Sequence, residues 1–341
     1  MFCLSRSASI IVLSLSEDYS VRWFKDDEDV DPYIRGLNKA LYDNYDEDVF
    51  NWKWRQNPNT VGFTSIAVVE HKRDGPVAFN SYLPMEIRRG NEVFKAVQGC
   101  DGFVDVHHRR KGLFQKTLIF LADEAPNINA EFLMGFNLVE AAGAARKAGS
   151  ELAYDMNKCF LKPDAIKRGL GQRVSLEPIN VETLHGLYMD WATKSRLFNL
   201  NRSKKYLRWK NKEHPFKLVQ PYGVYNDEGI IGYVVTDKVT EGEKTTLTIN
   251  DYNPGLINKH LGSIVENLAA LNDDITVIEM DTMQGGERQR TARRLGFDVV
   301  PWYQVIMKAL RGTEQREGAV YRRGLKLSHI RSWHLAESDI Y

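Results

Sequence analysis

The sequence predicts an α/β (α+β) fold of two tandem domains, each a mixed, mostly antiparallel central sheet flanked by helices. Three observations lead there. A meander of strand patterns gives way to strand–helix–strand–helix–strand order, the pattern of a mixed sheet with helices packed on it. The chain has 341 residues, which suits two domains at about 150 residues each. Three segments also return later in the same order. Phe50-Asn51-Trp52-Lys53-Trp54-Arg55, with Pro58 following, recurs as Tyr206-Leu207-Arg208-Trp209-Lys210, with Pro215 following. Gly75-Pro76-Val77-Ala78-Phe79 recurs as Gly229-Ile230-Ile231-Gly232-Tyr233, and Ala145-Arg146-Lys147-Ala148-Gly149 as Ala292-Arg293-Arg294-Leu295-Gly296. The offsets are 155, 154 and 147 residues.

In chain order, residues 20–24 read as a strand. Residues 29–45 place apolar side chains at 30, 33, 34, 37 and 41, a helical stripe whose acidic first turn suits the helix dipole. A second helix, 48–56, stops at Asn57-Pro58-Asn59. Strands follow at 63–70 and 77–87, joined by the hairpin signal Asp74-Gly75, and a third at 93–106. Residues 112–124 are helical by pattern, 131–136 a short strand, 139–148 an Ala-rich helix closed by Gly149, and 152–156 a strand. The expected organisation is an extension over 1–18, a first domain over 19–165, a junction near 163–178, a second domain over 175–310, and a basic tail over 311–341 packed on the second domain.

Lys plus Arg number 46 and Asp plus Glu 45, so no global field draws the chain to nucleic acid or an anionic membrane, and neither is expected as a partner. Cys3, Cys100 and Cys159 are odd in number and form no C-x-x-C pair, which fits a reducing cytoplasm better than a disulfide framework. The apolar run 10–15 is broken by Ser14 and is too short for a secretory core or a membrane span.

The chemistry concentrates in the stretch from Cys100 to Lys116. A strand runs into Arg109-Arg110-Lys111-Gly112, and a helix opens at Leu113-Phe114 with Lys116 behind. Helix-start amides lack internal partners and Gly112 lets the backbone approach a ligand, so this turn suits phosphate oxygens; a solvated turn is the competing reading. Arg109-Arg110-Lys111-Gly112-Leu113-Phe114 resembles the R/Q-x-x-G-x-G/A signature of the GCN5-related N-acetyltransferase superfamily, with Phe114 at the last small position, and the repeat resembles its tandem-domain members.

The resemblance implies acetyl-CoA or another acyl-CoA as co-substrate. Its diphosphate would lie on the amides of Arg110, Lys111, Gly112, Leu113 and Phe114, with Arg109 beside them. The strand edge at Val104, Asp105 and Val106 would hold the pantetheine arm and polarise the thioester. Asn137, in Gly135-Phe136-Asn137, matches the family's Asn beside the coenzyme. The second copy ends its equivalent strand at Asn253-Pro254 without the motif, which implies one working site per chain.

The family's common Tyr acid is replaced by Ala145. An ammonium acceptor must lose a proton before it attacks, so a base is needed. Asp101 and Asp105, on one strand face if no bulge intervenes, Glu86 and His107 are candidate bases; Tyr154 and Cys159 are alternative proton donors. His107-His108 suggests no metal, since strand neighbours point to opposite faces and no third ligand has a suitable spacing. Phe50, Trp52 and Trp54 are expected to pack rather than stack on a ligand. The implied activity is acyl transfer to a small amine, an amino sugar or a peptide amine by direct attack. The alternatives are a non-catalytic acyl-CoA-binding module and an aminoacyl-tRNA-dependent transferase of the peptidoglycan-bridge (FemX-like) type.

Overall fold

The computed structural model describes residues 18–41, 44–215, 217–310, 313–316, 319–322, 325–327 and 333–335. All but the last residue of the expected extension, Cys3 included, lies outside them. The first half runs β1 (Tyr19–Trp23), α1 (Asp31–Ala40), α2 (Glu47–Phe50) with a π-helical turn over Asn51–Arg55, then β2 (Ile66–His71), β3 (Gly75–Arg89) and β4 (Glu92–Val104). It finishes with α3 (Leu113–Ile128), β5 (Phe132–Asn137), α4 (Val139–Lys147) and β6 (Glu151–Leu161). The second half repeats the order: β7 (Ser175–Pro178), α5 (Val181–Ala192), a short β8 (Asn199–Leu200), α6 (Lys204–Asn211), β9 (Leu218–Asn226), β10 (Gly229–Glu241) and β11 (Lys244–Tyr252). It closes with α7 (Pro254–Leu271), β12 (Val277–Met283), α8 (Glu287–Leu295) and β13 (Asp298–Ala309). Among the described residues no helix is long and apolar enough to cross a membrane.

The expected meanders are present, and β4 with β5 and β11 with β12 form the two parallel pairs. The halves do not keep separate sheets. The strand order is β1-β2-β3-β4-β5-β13-β6-β12-β11-β10-β9-β7, so the last strand of each half is inserted into the other. β13 pairs with β5, and β6 pairs with β12. This is why β6 extends beyond the 152–156 expected from the sequence: partners on both edges satisfy its backbone along its length. Helix α1 is shorter than 29–45 suggests, and beyond it the Asn38 side chain holds both the N–H and the C=O of Tyr45.

The repeat is visible at the seam. Trp52 and Trp209 stack with ring centroids 4.8 Å apart, and each indole Nε1 donates to the other's backbone carbonyl at 3.0 and 2.8 Å. Asp46 caps α2 through the Val49 amide as Ser203 caps α6 through the Tyr206 amide. The equivalence is therefore Trp52 with Trp209, 157 residues apart, and the sequence match to Trp54 slips by two. Trp54 and Phe50 instead fill the first half's own core with Tyr33 and Leu37.

Around the tryptophan pair lies a core shared by both halves, including Phe94, Phe132, Met156, Met283 and Val305. The tail enters it too. Strands β14 (Glu314–Arg316), β15 (Ala319–Arg322) and β16 (Leu325–Lys326) form a small sheet, and Val320, Leu327, Trp333 and Leu335 are buried in the shared core. Arg322 bonds Glu131 and Glu92 of the first half, so the described part of the tail spans the seam and is not confined to the second half.

Candidate active site

A cleft of about 370 Å³ opens where β4 and β5 part. Their parallel pairing ends at Gly99 with Gly135. Beyond it β4 bulges at Asp101 and Gly102, shown by the register shift against β3 between Phe79 and Ser81 and by φ +49° at Asp101. Residues 100–102 thus offer the strand edge that faces the cleft. Phe114 and Leu118 of α3, Ala141 and Ala145 of α4, and Trp302 and Tyr303 of β13 complete the walls, so the exchanged strand contributes to a site otherwise built by the first half. Phe114 fits because Gly102 leaves room: a Cβ there would lie 3.0 Å from its ring.

The connection from β4 to α3 spans residues 105–112. The Asp105 carboxylate accepts from the His107 amide at 2.9 Å and caps a 3₁₀ turn over Val106–His108. Arg110 and Gly112 then take left-handed backbone angles, φ +63° and +73°, which turn the chain into α3 with Gly112 at its mouth. Arg109 is tied back by its Nε to the Val104 carbonyl at 3.0 Å, while Arg110 and Lys111 are exposed. Burial lowers the Lys116 pKa from its usual value. Leu113 is buried under the turn, and first-turn amides of any helix lack intrahelical acceptors.

Val104, Asp105 and Val106 do not form the open edge expected from the sequence. The strand stops at Val104, the Asp105 amide donates to the Val77 carbonyl, and Val106 has entered the capped turn. Asn137 borders the cleft with a buried Oδ1 that has no partner among the described residues. A hydrogen-bond donor is the kind of group that atom lacks.

Of the six candidate acids and bases, Asp101 alone lines this cleft. Its Oδ2 accepts from Lys53 Nζ at 2.7 Å and from Tyr33 Oη at 3.1 Å, with Tyr33 also bonded to Ser81 Oγ at 2.9 Å. Burial disfavours the Lys53 ammonium, but the Asp101 charge and hydrogen bond, joined by Cys100 and Tyr45, together outweigh it and hold the lysine above its ordinary pKa. Burial likewise pushes the Tyr33 phenol well up and the Cys100 thiol up to about 12. Asp105 faces a separate groove beside Arg35 and Lys39; the His107 amide, opposed by slight desolvation and aided by Lys39, holds its carboxyl below the usual range. Glu86 is bound to the Asn201 side chain at 2.8 Å, away from the cleft, and Tyr154 is buried in the shared core. Cys159 is buried in the second half's core beside Thr282. His107 is exposed on the turn, and His108 is buried against Tyr19.

No family model matches the chain, and no curated protein matches its sequence. Solved structures do match in shape. A GCN5-related N-acetyltransferase from Anabaena variabilis superimposes with a TM-score of 0.62 at 13% identity, over 90% of this chain and 84% of that one. A probable N-acyltransferase from Enterococcus faecalis gives 0.61 at 12%, over 86% and 73%. Saccharomyces cerevisiae N-myristoyltransferase with bound myristoyl-CoA and inhibitors gives 0.60 at 11%, over 88% and 82%. The chain has the GCN5-related N-acetyltransferase fold. In that fold's terms, the first half carries both the strand splay and the glycine-bearing turn. The second half keeps the β11–α7 unit but joins it through Asn253 alone.

Lys53, Tyr33, Trp302 and Tyr303 went unremarked in the sequence reading of the site. Lys53 carried a signal, a lone cation inside an aromatic, helix-patterned segment. Trp302 and Tyr303 carried none, because nothing local announces a strand exchange.

Proposed function

We propose that this protein is an N-acyltransferase that moves an acyl group from acyl-CoA to a small amine, an amino sugar or a peptide amine. The observation that carries the reading is one continuous arrangement: the β4–β5 cleft, the amide-rich turn at the start of α3, and a buried carboxylate on the bulged strand. The N-myristoyltransferase likeness supports an acyl-CoA as donor, and the mixed apolar lining of the cleft suits the pantetheine arm and its acyl group.

In this reading the amides of residues 110–114 and the positive end of α3 hold the diphosphate, with Arg110 and Lys111 adding charge. The strand edge at 100–102 holds the arm, in place of 104–106, and an amide there polarises the thioester carbonyl. The acceptor nitrogen attacks that carbon, the C–S bond breaks, and the proton shed by the nitrogen passes to Asp101 directly or through a water. Ala145 stands in the cleft wall where a phenol would be needed to protonate the thiolate, so the thiolate takes its proton from solvent. We place the reaction in a reducing cytoplasm, in keeping with the free, buried Cys100 and Cys159.

Calorimetry with CoA, followed by thiol release from acetyl-CoA and longer acyl-CoAs against an amine panel, tests the reading. Binding plus acceptor-dependent thiol release is the expected result. Absence of CoA binding at modest ionic strength would overturn it, and binding without turnover would leave only the binding module.

A further inference from the structure

The β2–β3 turn and the 3₁₀ turn before Arg109 bring together three side chains that acyl transfer does not use. His71 ends β2, Asp74 closes the hairpin turn, and His108 closes the 3₁₀ turn. Asp74 Oδ2 lies 2.6 Å from His71 Nδ1 and 3.3 Å from His108 Nε2, and the donor atoms of all three residues lie within 4.8 Å of one another. The His71 and His108 side chains are only 17% and 10% exposed, whereas that of Asp74 is 54% exposed. His71 Nδ1 is buried, and its approach to Asp74 lacks hydrogen-bond geometry, so an imidazole nitrogen faces a carboxylate without a bond that accounts for it.

An outer layer fixes one of these rings. His108 Nδ1 bonds Tyr19 Oη at 2.9 Å, and Lys111 Nζ donates to the same oxygen at 2.8 Å. Histidines that bind metals engage their second ring nitrogen in this way, which sets the ring's orientation and frees the other nitrogen for the ion. Here Tyr19 occupies Nδ1, and Nε2 is left turned toward Asp74.

We propose that His71, Asp74 and His108 form a binding site for a divalent transition metal of the zinc class, with water as the fourth ligand. Two imidazoles and one carboxylate suit zinc, whereas calcium and magnesium take oxygen ligands. Metal–ligand bonds of about 2.0–2.1 Å in a tetrahedron separate ligand atoms by about 3.3–3.4 Å. The Asp74–His108 spacing of 3.3 Å matches that value, the Asp74–His71 spacing of 2.6 Å is shorter, and Asp74, on an exposed turn, can adjust by rotation to even them out. The ion would join the β2–β3 turn to the residue that precedes Arg109, and through Tyr19 to Lys111, so its occupancy would brace the turn at the mouth of α3. The metal site and the acyl-CoA reading stand or fall separately, because metal binding is read without substrate.

The test uses the tag-free full chain, stripped with chelator and titrated with Zn²⁺ by calorimetry, and with Co²⁺ by visible absorption. One equivalent of Zn²⁺, a tetrahedral Co²⁺ spectrum and a raised Tm are expected. His108→Ala and His71→Ala should each weaken binding by at least about 100-fold, Tyr19→Phe by about 10–100-fold, and His107→Ala should leave it unchanged. If the histidine variants prove unstable, Asp74→Asn, on the exposed turn, reports the same loss. Native chain that takes up no stoichiometric Zn²⁺ or Co²⁺ would overturn the proposal and leave an ion pair shared by two imidazoles. Binding that survives His71→Ala and His108→Ala would overturn it equally.

Discussion

The two strand-to-helix connections of the repeat share a scaffold and differ in what they leave accessible. Between β4 and α3 the chain spends residues 105–112 on a capped turn and two left-handed positions. Between β11 and α7 it spends Asn253 alone, with Pro254 at the helix start. Asn253 Oδ1 accepts the Tyr233 amide, and Leu256 and Ile257 are buried, so the second helix is entered directly from the strand, with only Gly255 of its first turn exposed. The two helix starts thus differ in the length and backbone form of the chain that leads into them.

The carboxylates at the two bulges carry the comparison further. Both Asp101 and Asp251 sit where the hairpin register shifts, and each meets a buried cation. Asp101 borders the cleft, whereas Arg202 grips Asp251 through both Nε and Nη2 and His334 packs close by.

The largest expected effect tests whether these pairs are equivalent in stability. Asp101→Ala and Asp251→Ala should each cost about 3–5 kcal/mol in urea unfolding, because a buried cation loses its partner. A loss below about 1 kcal/mol at either position would break the comparison. Lys53→Met combined with Asp101→Leu should recover most of the first loss.

Next come the two helix starts. Gly112→Glu puts a side chain at a left-handed position and a negative charge where the diphosphate would sit, so CoA affinity should fall at least about 100-fold by calorimetry. Gly255→Glu, in the first turn of α7 with open space around it, should leave CoA affinity unchanged. Equal effects from the two variants would show that the turn does not distinguish the halves.

The seam should behave symmetrically. Trp52→Phe and Trp209→Phe each remove one indole donor from a reciprocal pair and should each lower stability by about 1–2 kcal/mol. Unequal losses would show that the equivalence is only geometric.

The smallest effect concerns pH. The folded-state carboxyl of Asp105 titrates below its ordinary value of about 3.9, chiefly because the His107 amide bonds the ionised form. Its capping contribution is therefore complete above that ordinary value and fades as pH falls through the folded one. Asp105→Asn should change stability at pH 7 by no more than a few tenths of a kcal/mol and flatten the acid limb of a stability profile.

Much of the fold was legible because its signals are local. The Asp74-Gly75 turn, the Gly149 stop and the Arg109–Phe114 turn each declare themselves within a few residues. Gly75 and Gly229 open equivalent hairpin strands, as the sequence match implies. What escaped depends on distant partners. Glu86 reads as a strand carboxylate, and only its pairing with Asn201 shows that it serves the seam. The bulge at Asp101 ends the alternation that would place Asp101 and Asp105 together, and a register shift leaves no mark that a period of two can reveal. His108 looked solitary beside His107 because its partners, His71 and Asp74, arrive from another hairpin.

The traded strands also set a timetable for synthesis. β5 acquires its second neighbour only when residues 298–309 have been made, 172 residues after its own last position at Asn137. At about 5–20 residues per second the ribosome needs roughly 9–34 s to cover that distance. For that interval the apolar segment 132–137 has β4 alone beside it and is a nascent sheet margin, the kind of edge at which a stalled or truncated chain associates with another.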